Sequence, residues 1–82
     1  MKNIAVLAGD YGQFVTWVRE RDPQARIRGG WAHGVHAHYE YISAWRHGGV
    51  EYDEVQVVGT FHQRSDAKQL EEAVRPFLGR VK

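Results

Sequence analysis

The sequence predicts a single α/β domain on a minimal three-layer plan, Rossmann-like or flavodoxin-like, with a small and mainly parallel sheet. Three observations predict it. Short apolar, strand-like runs alternate with stretches of helical periodicity. The first run passes through a glycine directly into a capped helix. Two of the buried runs end in glycine, at Gly9 and Gly59, where a sheet of this class turns toward a helix.

The first element is the continuous apolar run Ile4 to Ala8, which reads as a strand covered on both faces. Asp10 then stands as a helix N-cap with Gln13 three residues on, a capping-box arrangement. Tyr11, Phe14, Val15 and Val18 recur at helical spacing with Trp17 beside them, and Pro23 forbids continuation past Asp22. Residues 25–28 alternate as a short strand stopped by Gly29-Gly30, and Trp31 to Gly34 read as a loop. From Val35 to Ile42 the alternation places Ala37, Tyr39 and Tyr41 on one face, with His36, His38, Glu40 and Ile42 on the other. A strand with one polar face suits a sheet edge, so 25–28 and 35–42 are expected to form an antiparallel edge or hairpin arm.

Ser43 can cap a short helix from Ala44 to His47, ended by Gly48-Gly49. Val55, Val57 and Val58 form a further strand. Ser65 caps the last helix, whose apolar stripe is Ala67, Leu70, Ala73, Val74 and Phe77. Pro76 predicts a kink or an end near Arg75, with Gly79 closing the element. The expected order is β-α-(β)-β-α-β-α, without repeats or linkers.

Composition narrows the class of function. The 82 residues allow one domain, with a core near the lower limit of what folds without a staple or partner. Cysteine is absent, so no disulfide assists; the absence fits a cytoplasmic setting. Eleven Lys and Arg against ten Asp and Glu leave a net charge of +1, which argues against a protein devoted to coating nucleic acid or an acidic membrane. No stretch approaches the ~20 apolar residues of a membrane span, and the run after Met1-Lys2-Asn3 is too short for a signal peptide.

Three groups of residues could carry a function. In open α/β sheets ligands bind beyond the strand carboxyl ends, which gathers Asp10 and Tyr11, Ser43, and Thr60, His62 and Arg64. Backbone N–H groups at the first helix could receive a phosphate, and Arg64 could pair with it. The competing reading is a turn glycine with an N-cap aspartate, since Gly9 to Gly12 fits neither dinucleotide nor Walker spacing. The second group interleaves basic and aromatic side chains: Arg26, Arg28, Trp31, Tyr39, Tyr41, Trp45 and Arg46. Such a set suits a protein interface, or stacking on single-stranded nucleic acid. The third is His33, His36 and His38, whose imidazoles could hold a metal ion if Glu40 or another chain completed the set; the plainer reading is an exposed strand face. No serine or cysteine nucleophile motif and no paired carboxylates stand out, and no cofactor is implied.

The pieces Ile4 to Gly9 with Tyr11 and Gln13, Tyr39 to Ser43, and Val57 to Arg64 resemble a loose class of small, uncharacterised Rossmann-like proteins encoded by bacteriophages. Residues 24–35 stand outside that pattern as an insertion. The resemblance implies the fold and a bacterial host cytoplasm, and it implies no activity. The expectation is therefore a non-enzymatic accessory protein that binds another protein or itself. The alternatives are a nucleotide or phosphometabolite site at the strand ends, and nucleic-acid binding through 26–46.

Overall fold

The computed structural model describes residues 2–43 and 51–77. Its elements are β1 (Lys2–Ala8), α1 (Tyr11–Arg21), β2 (Arg26–Arg28), β3 (Trp31–His33), β4 (Ala37–Tyr41), β5 (Glu54–Val58) and α2 (Ala67–Val74), with 3-10 turns at Phe61–Gln63 and Arg75–Phe77. The expected helix over Ala44 to His47, with Trp45 and Arg46, lies outside the described residues, as does Gly79.

The five strands form one sheet in the order β2-β3-β4-β1-β5. β1 sits between β4 and β5, parallel to both, while β3 runs antiparallel to its neighbours β2 and β4. The sheet is therefore mixed rather than mainly parallel. The cause lies at Trp31–His33, expected as loop but folded as β3. Gly29, at φ +56°, and Gly30 make a two-residue turn that returns the chain along β2. A second tight turn after His33 returns it again as β4, so a meander is built into the connection between the parallel strands β1 and β4.

β1 divides the core by strict alternation. Ile4, Val6 and Ala8 pack with Phe14 and Val18 of α1, and with Ala32, Ala37 and Tyr39 of the meander. Ala5 and Leu7 face the other way, toward Ile42, Tyr52, Phe61, and the Ala67, Leu70 and Val74 stripe of α2. The two helices thus cover opposite sheet faces, in three layers. α2 packs on β1 and its surroundings, so among the described residues no helix covers the α2-side face of β2, β3 and β4.

Local chemistry explains the helix limits. Asp10 caps α1 as expected, its Oδ1 accepting from Gln13 N at 2.8 Å. α1 ends at Asp22, whose N–H still donates to Val18 O. α2 differs from expectation at its start: Asp66, not Ser65, occupies the N-cap, and it makes no side-chain cap bond because its carboxylate is held by Arg64. Pro76 acts as expected, with the α-helix giving way after Val74 to a 3-10 turn. No helix among the described residues is long and apolar enough to cross a membrane.

Candidate functional site

The three parallel strands β4, β1 and β5 place their carboxyl ends along one rim, and the structure does bring the sequence-predicted groups together there. Two of them are taken up there by other groups of the fold, Thr60 by Gln13 and Arg64 by Asp66, Ala8 and Tyr41. Gln13 reaches across from α1, and its Oε1 accepts from Gly9 N at 2.9 Å and Thr60 N at 3.0 Å. Its Nε2 donates to Thr60 Oγ1 at 3.0 Å. The amide therefore bridges the turn after β1 to the turn after β5, instead of closing a capping box on Asp10. Gly9 and Gly59 leave the space it fills, since a Cβ on either would meet the Gln13 Oε1. Gly59 also holds φ +61°.

Arg64 makes the second bridge. Its Nε and Nη2 donate to the two oxygens of Asp66 at 2.8 and 2.9 Å, a bidentate fork. Its Nη1 donates to Ala8 O at 3.1 Å and Tyr41 Oη at 3.4 Å, tying α2, β1 and β4 together. Asp66 is held below the usual carboxylate range chiefly by those hydrogen bonds, and the same bonds raise Arg64. Tyr11 lies over this rim, its ring 5.6 Å from Tyr41 and 5.8 Å from Phe14. Ser43 follows β4 half-buried, and His62 is exposed with its ring against Phe61. Residues 61–63, expected as open loop, form a 3-10 turn because Phe61 is buried in the α2-side core. Alongside, a groove of about 540 Å³ on α2 is lined by both signs of charge, with Lys68 and Arg75 against Glu71 and Glu72, and by His62.

The arm presents a different surface. Register pairs Arg28 with Trp31, Trp31 with Glu40, Arg26 with His33, and His33 with His38, so these six side chains share the uncovered α2-side face. Trp31 stacks on His38 with centroids 5.5 Å apart and planes 29° apart, and His33 meets His38 edge-on at 5.7 Å. His38 Nε2 lies 3.2 Å from Glu40 Oε1, which fixes the ring under the indole. Trp31 nevertheless remains 39% exposed.

Tyr39 and Tyr41, grouped by sequence with the basic-aromatic set, fall on the opposite face. Tyr39 is buried against Trp17, and burial raises its phenol above the usual value, with the Asp22 charge adding to it. Tyr41 packs on Phe14. Their parity with Ala37 on β4 compels this. Of the three histidines, His33 and His38 meet while His36 sits in the turn before β4. Among the described residues, no three His, Cys, Asp or Glu side chains are grouped to hold a metal ion.

Two structural residues escaped the sequence reading. Gln13 showed only its local helix signal. Asp22 is buried, and its Oδ2 accepts from Val35 N at 2.8 Å, latching the arm's second turn to the end of α1. Gly34 makes room for that carboxylate.

No family model, no curated protein and no solved structure matches the chain.

Proposed function

We propose that the protein is a binding module whose contact surface is the uncovered face of the arm, and that its partner is a protein segment carrying carboxylates beside an apolar or aromatic side chain. The observation that carries this reading is Trp31: an indole fixed by stacking on His38 yet 39% exposed, with Arg28 directly beside it and Arg26 on the same face. Trp and Arg are the residues most enriched where binding energy concentrates, and a preorganised side chain loses little entropy on contact. Among the described residues of the arm, Glu40 is the one carboxylate that shares this face with the two arginines, and it is engaged by His38. The Rossmann-like relationship also belongs to this proposal; the β1-Gly9-Asp10-α1 passage at the sheet centre supports it.

The test is direct titration of a panel of acidic, aromatic-containing peptides against the wild type, Trp31→Ala and Arg26→Glu/Arg28→Glu. The reading expects binding that both variants lose while their melting temperatures stay within a few degrees of wild type. Binding unaffected by Trp31→Ala overturns it. The stacked Trp31 and His38 rings favour one second reading, a single strand of nucleic acid stacked on the same face. An oligonucleotide affinity that falls steeply with salt would select that reading over the first.

A further inference from the structure

The two edges of the sheet differ in a way that points to a second interface, separate from the arm face. β2, at one edge, is three residues long and carries Arg26 and Arg28, the short and charged form that resists strand addition. β5, at the other edge, is five residues long, with sequence Glu54-Val55-Gln56-Val57-Val58. Its one charge, Glu54, is engaged by Lys2 at 3.3 Å, by Arg21 at 3.8 Å and by the Gln56 amide. Among the described residues nothing pairs with its outer side. Val57 is 47% exposed there.

Backbone phase shows which groups are free. Ile42 N donates to Val6 O, so β1 turns the polar groups of Ile4, Val6 and Ala8 toward β4, and those of Ala5 and Leu7 toward β5. With Ile4 opposite Glu54 and Val6 opposite Gln56, it is Glu54, Gln56 and Val58 that bond to β1. Val55 and Val57 turn their N–H and C=O groups outward.

Apolar clefts flank this edge on both faces. One of about 150 Å³, on the α2 side, is lined by Leu7, Val55, Val57 and Val74, with Glu71 and Arg75 at its margin. The other, about 260 Å³, lies on the α1 side against Trp17, Thr16 and Val58.

We propose that β5 is a dimerisation strand: a second copy of this chain pairs antiparallel with it about a two-fold axis at Gln56, joining the two sheets into one. Self-pairing is favoured because β5 is complementary to its own reverse. Val55 of each copy falls opposite Val57 of the other, in hydrogen-bonded pairs that use the free backbone groups and cover the exposed valine. Gln56 falls opposite Gln56 in a non-hydrogen-bonded pair, and Glu54 opposite Val58. The axis stands perpendicular to the sheet, so the two α2 helices lie antiparallel on one face. Glu71 and Arg75, four residues apart and both beside the cleft, then face Arg75 and Glu71 of the other copy. An unrelated peptide would have no reason to match both the valine spacing and this charge order. A core near the lower limit for an independent domain gains most from such a contact.

The experiment is sedimentation equilibrium of the full chain across micromolar concentrations, together with cysteine cross-linking, which a cysteine-free sequence makes clean. The wild type is expected to be a dimer, and Val57→Lys a folded monomer. Glu71→Arg and Arg75→Glu should each weaken the dimer about tenfold or more, and the doubly swapped chain should recover it. Gln56→Cys should oxidise to a covalent dimer, because non-hydrogen-bonded antiparallel pairs bring Cα atoms to about 4.5 Å. Gln63→Cys should not. A monomeric wild type overturns the proposal, whether the edge is then covered by the chain's own remaining residues or by a foreign peptide. So does a dimer that survives Val57→Lys and gives no Gln56→Cys cross-link. If Val57→Lys fails to fold, the cross-link at position 56 decides.

Discussion

Removing the Gln13 amide is the perturbation that tests the reading of the strand-end rim most sharply. In Gln13→Ala the N–H groups of Gly9 and Thr60 lose their common acceptor, and Thr60 Oγ1 loses its donor. The three bonds are not equal. Those at Thr60 are exposed, so water replaces much of what is lost, whereas the Gly9 bond is partly buried. Counting about 1 kcal/mol for the buried bond and a few tenths for each exposed one gives about 1.5 kcal/mol. The better helix propensity of alanine returns about 0.3 kcal/mol. The net loss of about 1–1.5 kcal/mol corresponds to a fall in melting temperature of roughly 5–10 °C for a domain this size. Urea unfolding followed by circular dichroism should show the same loss at unchanged slope. Gln13→Glu keeps both acceptor positions, and the Thr60 hydroxyl can turn to donate, so it should retain most of the stability. A double-mutant cycle with Thr60→Ala should be non-additive by about 0.5 kcal/mol or more. Gln13→Ala within 0.3 kcal/mol of wild type would show that the amide does not clamp the two turns, and the rim would have to be reconsidered as open to ligand.

Three further outcomes follow from the same geometry. Arg64→Met should cost about 2 kcal/mol in urea unfolding, because Ala8 O and the Asp66 carboxylate lose a part-buried, charge-assisted partner, and Arg64→Lys should recover less than half for want of the fork. Glu54 is held below the usual carboxylate value by the Gln56 hydrogen bond and then by Lys2. Its stabilising contribution is complete above the unfolded value near 4.5 and is lost as pH falls through the lower folded value, so Glu54→Gln should flatten the acid limb of a stability-versus-pH curve. Tyr39 behaves in the opposite sense. Its phenol keeps its proton in the fold above the unfolded value of 10.0, the unfolded chain binds fewer protons there, and stability falls as pH rises past 10.0. Tyr39→Phe should remove that alkaline decline, as read by thermal melts.

What could be read from the sequence was what repeats locally. Ile4 to Ala8, the Asp10 cap, the α1 spacing and the Ala67, Leu70 and Val74 part of the α2 stripe each carry their signal within one element and fold as expected, while Phe77 falls in the 3-10 turn beyond α2. Trp31–His33 is too short for alternation to show, and its partners on both sides are set by turns, so it read as loop. Ser65 was expected as the cap of α2, but Asp66 holds that position with its carboxylate turned to Arg64, a contact that no local spacing shows. The gathering of the strand-end loops was legible from the rule for parallel strands. Their mutual satisfaction was not, because Gln13 meets Thr60, and Arg64 meets Ala8, only through the fold.

That satisfaction bears on where a partner can bind at least cost. An anion at the strand ends would have to compete with the Gln13 oxygen for the Gly9 and Thr60 amides, and with Asp66 for Arg64. The Gly9 bond is partly buried and the Arg64–Asp66 fork is charge-assisted, so a phosphate spends part of its binding energy replacing contacts already made. The arm face has the reverse balance. Covering the exposed two-fifths of Trp31, about 100 Å² of a large aromatic side chain, returns about 2.5 kcal/mol with nothing displaced. Arg26 and Arg28 add charge on a strand already ordered by β3. The parallel half of the sheet, with a helix on each face and its rim sealed, leaves only the β5 edge for a second copy; the antiparallel half, covered among the described residues by no helix on its α2-side face, offers the surface for a different partner.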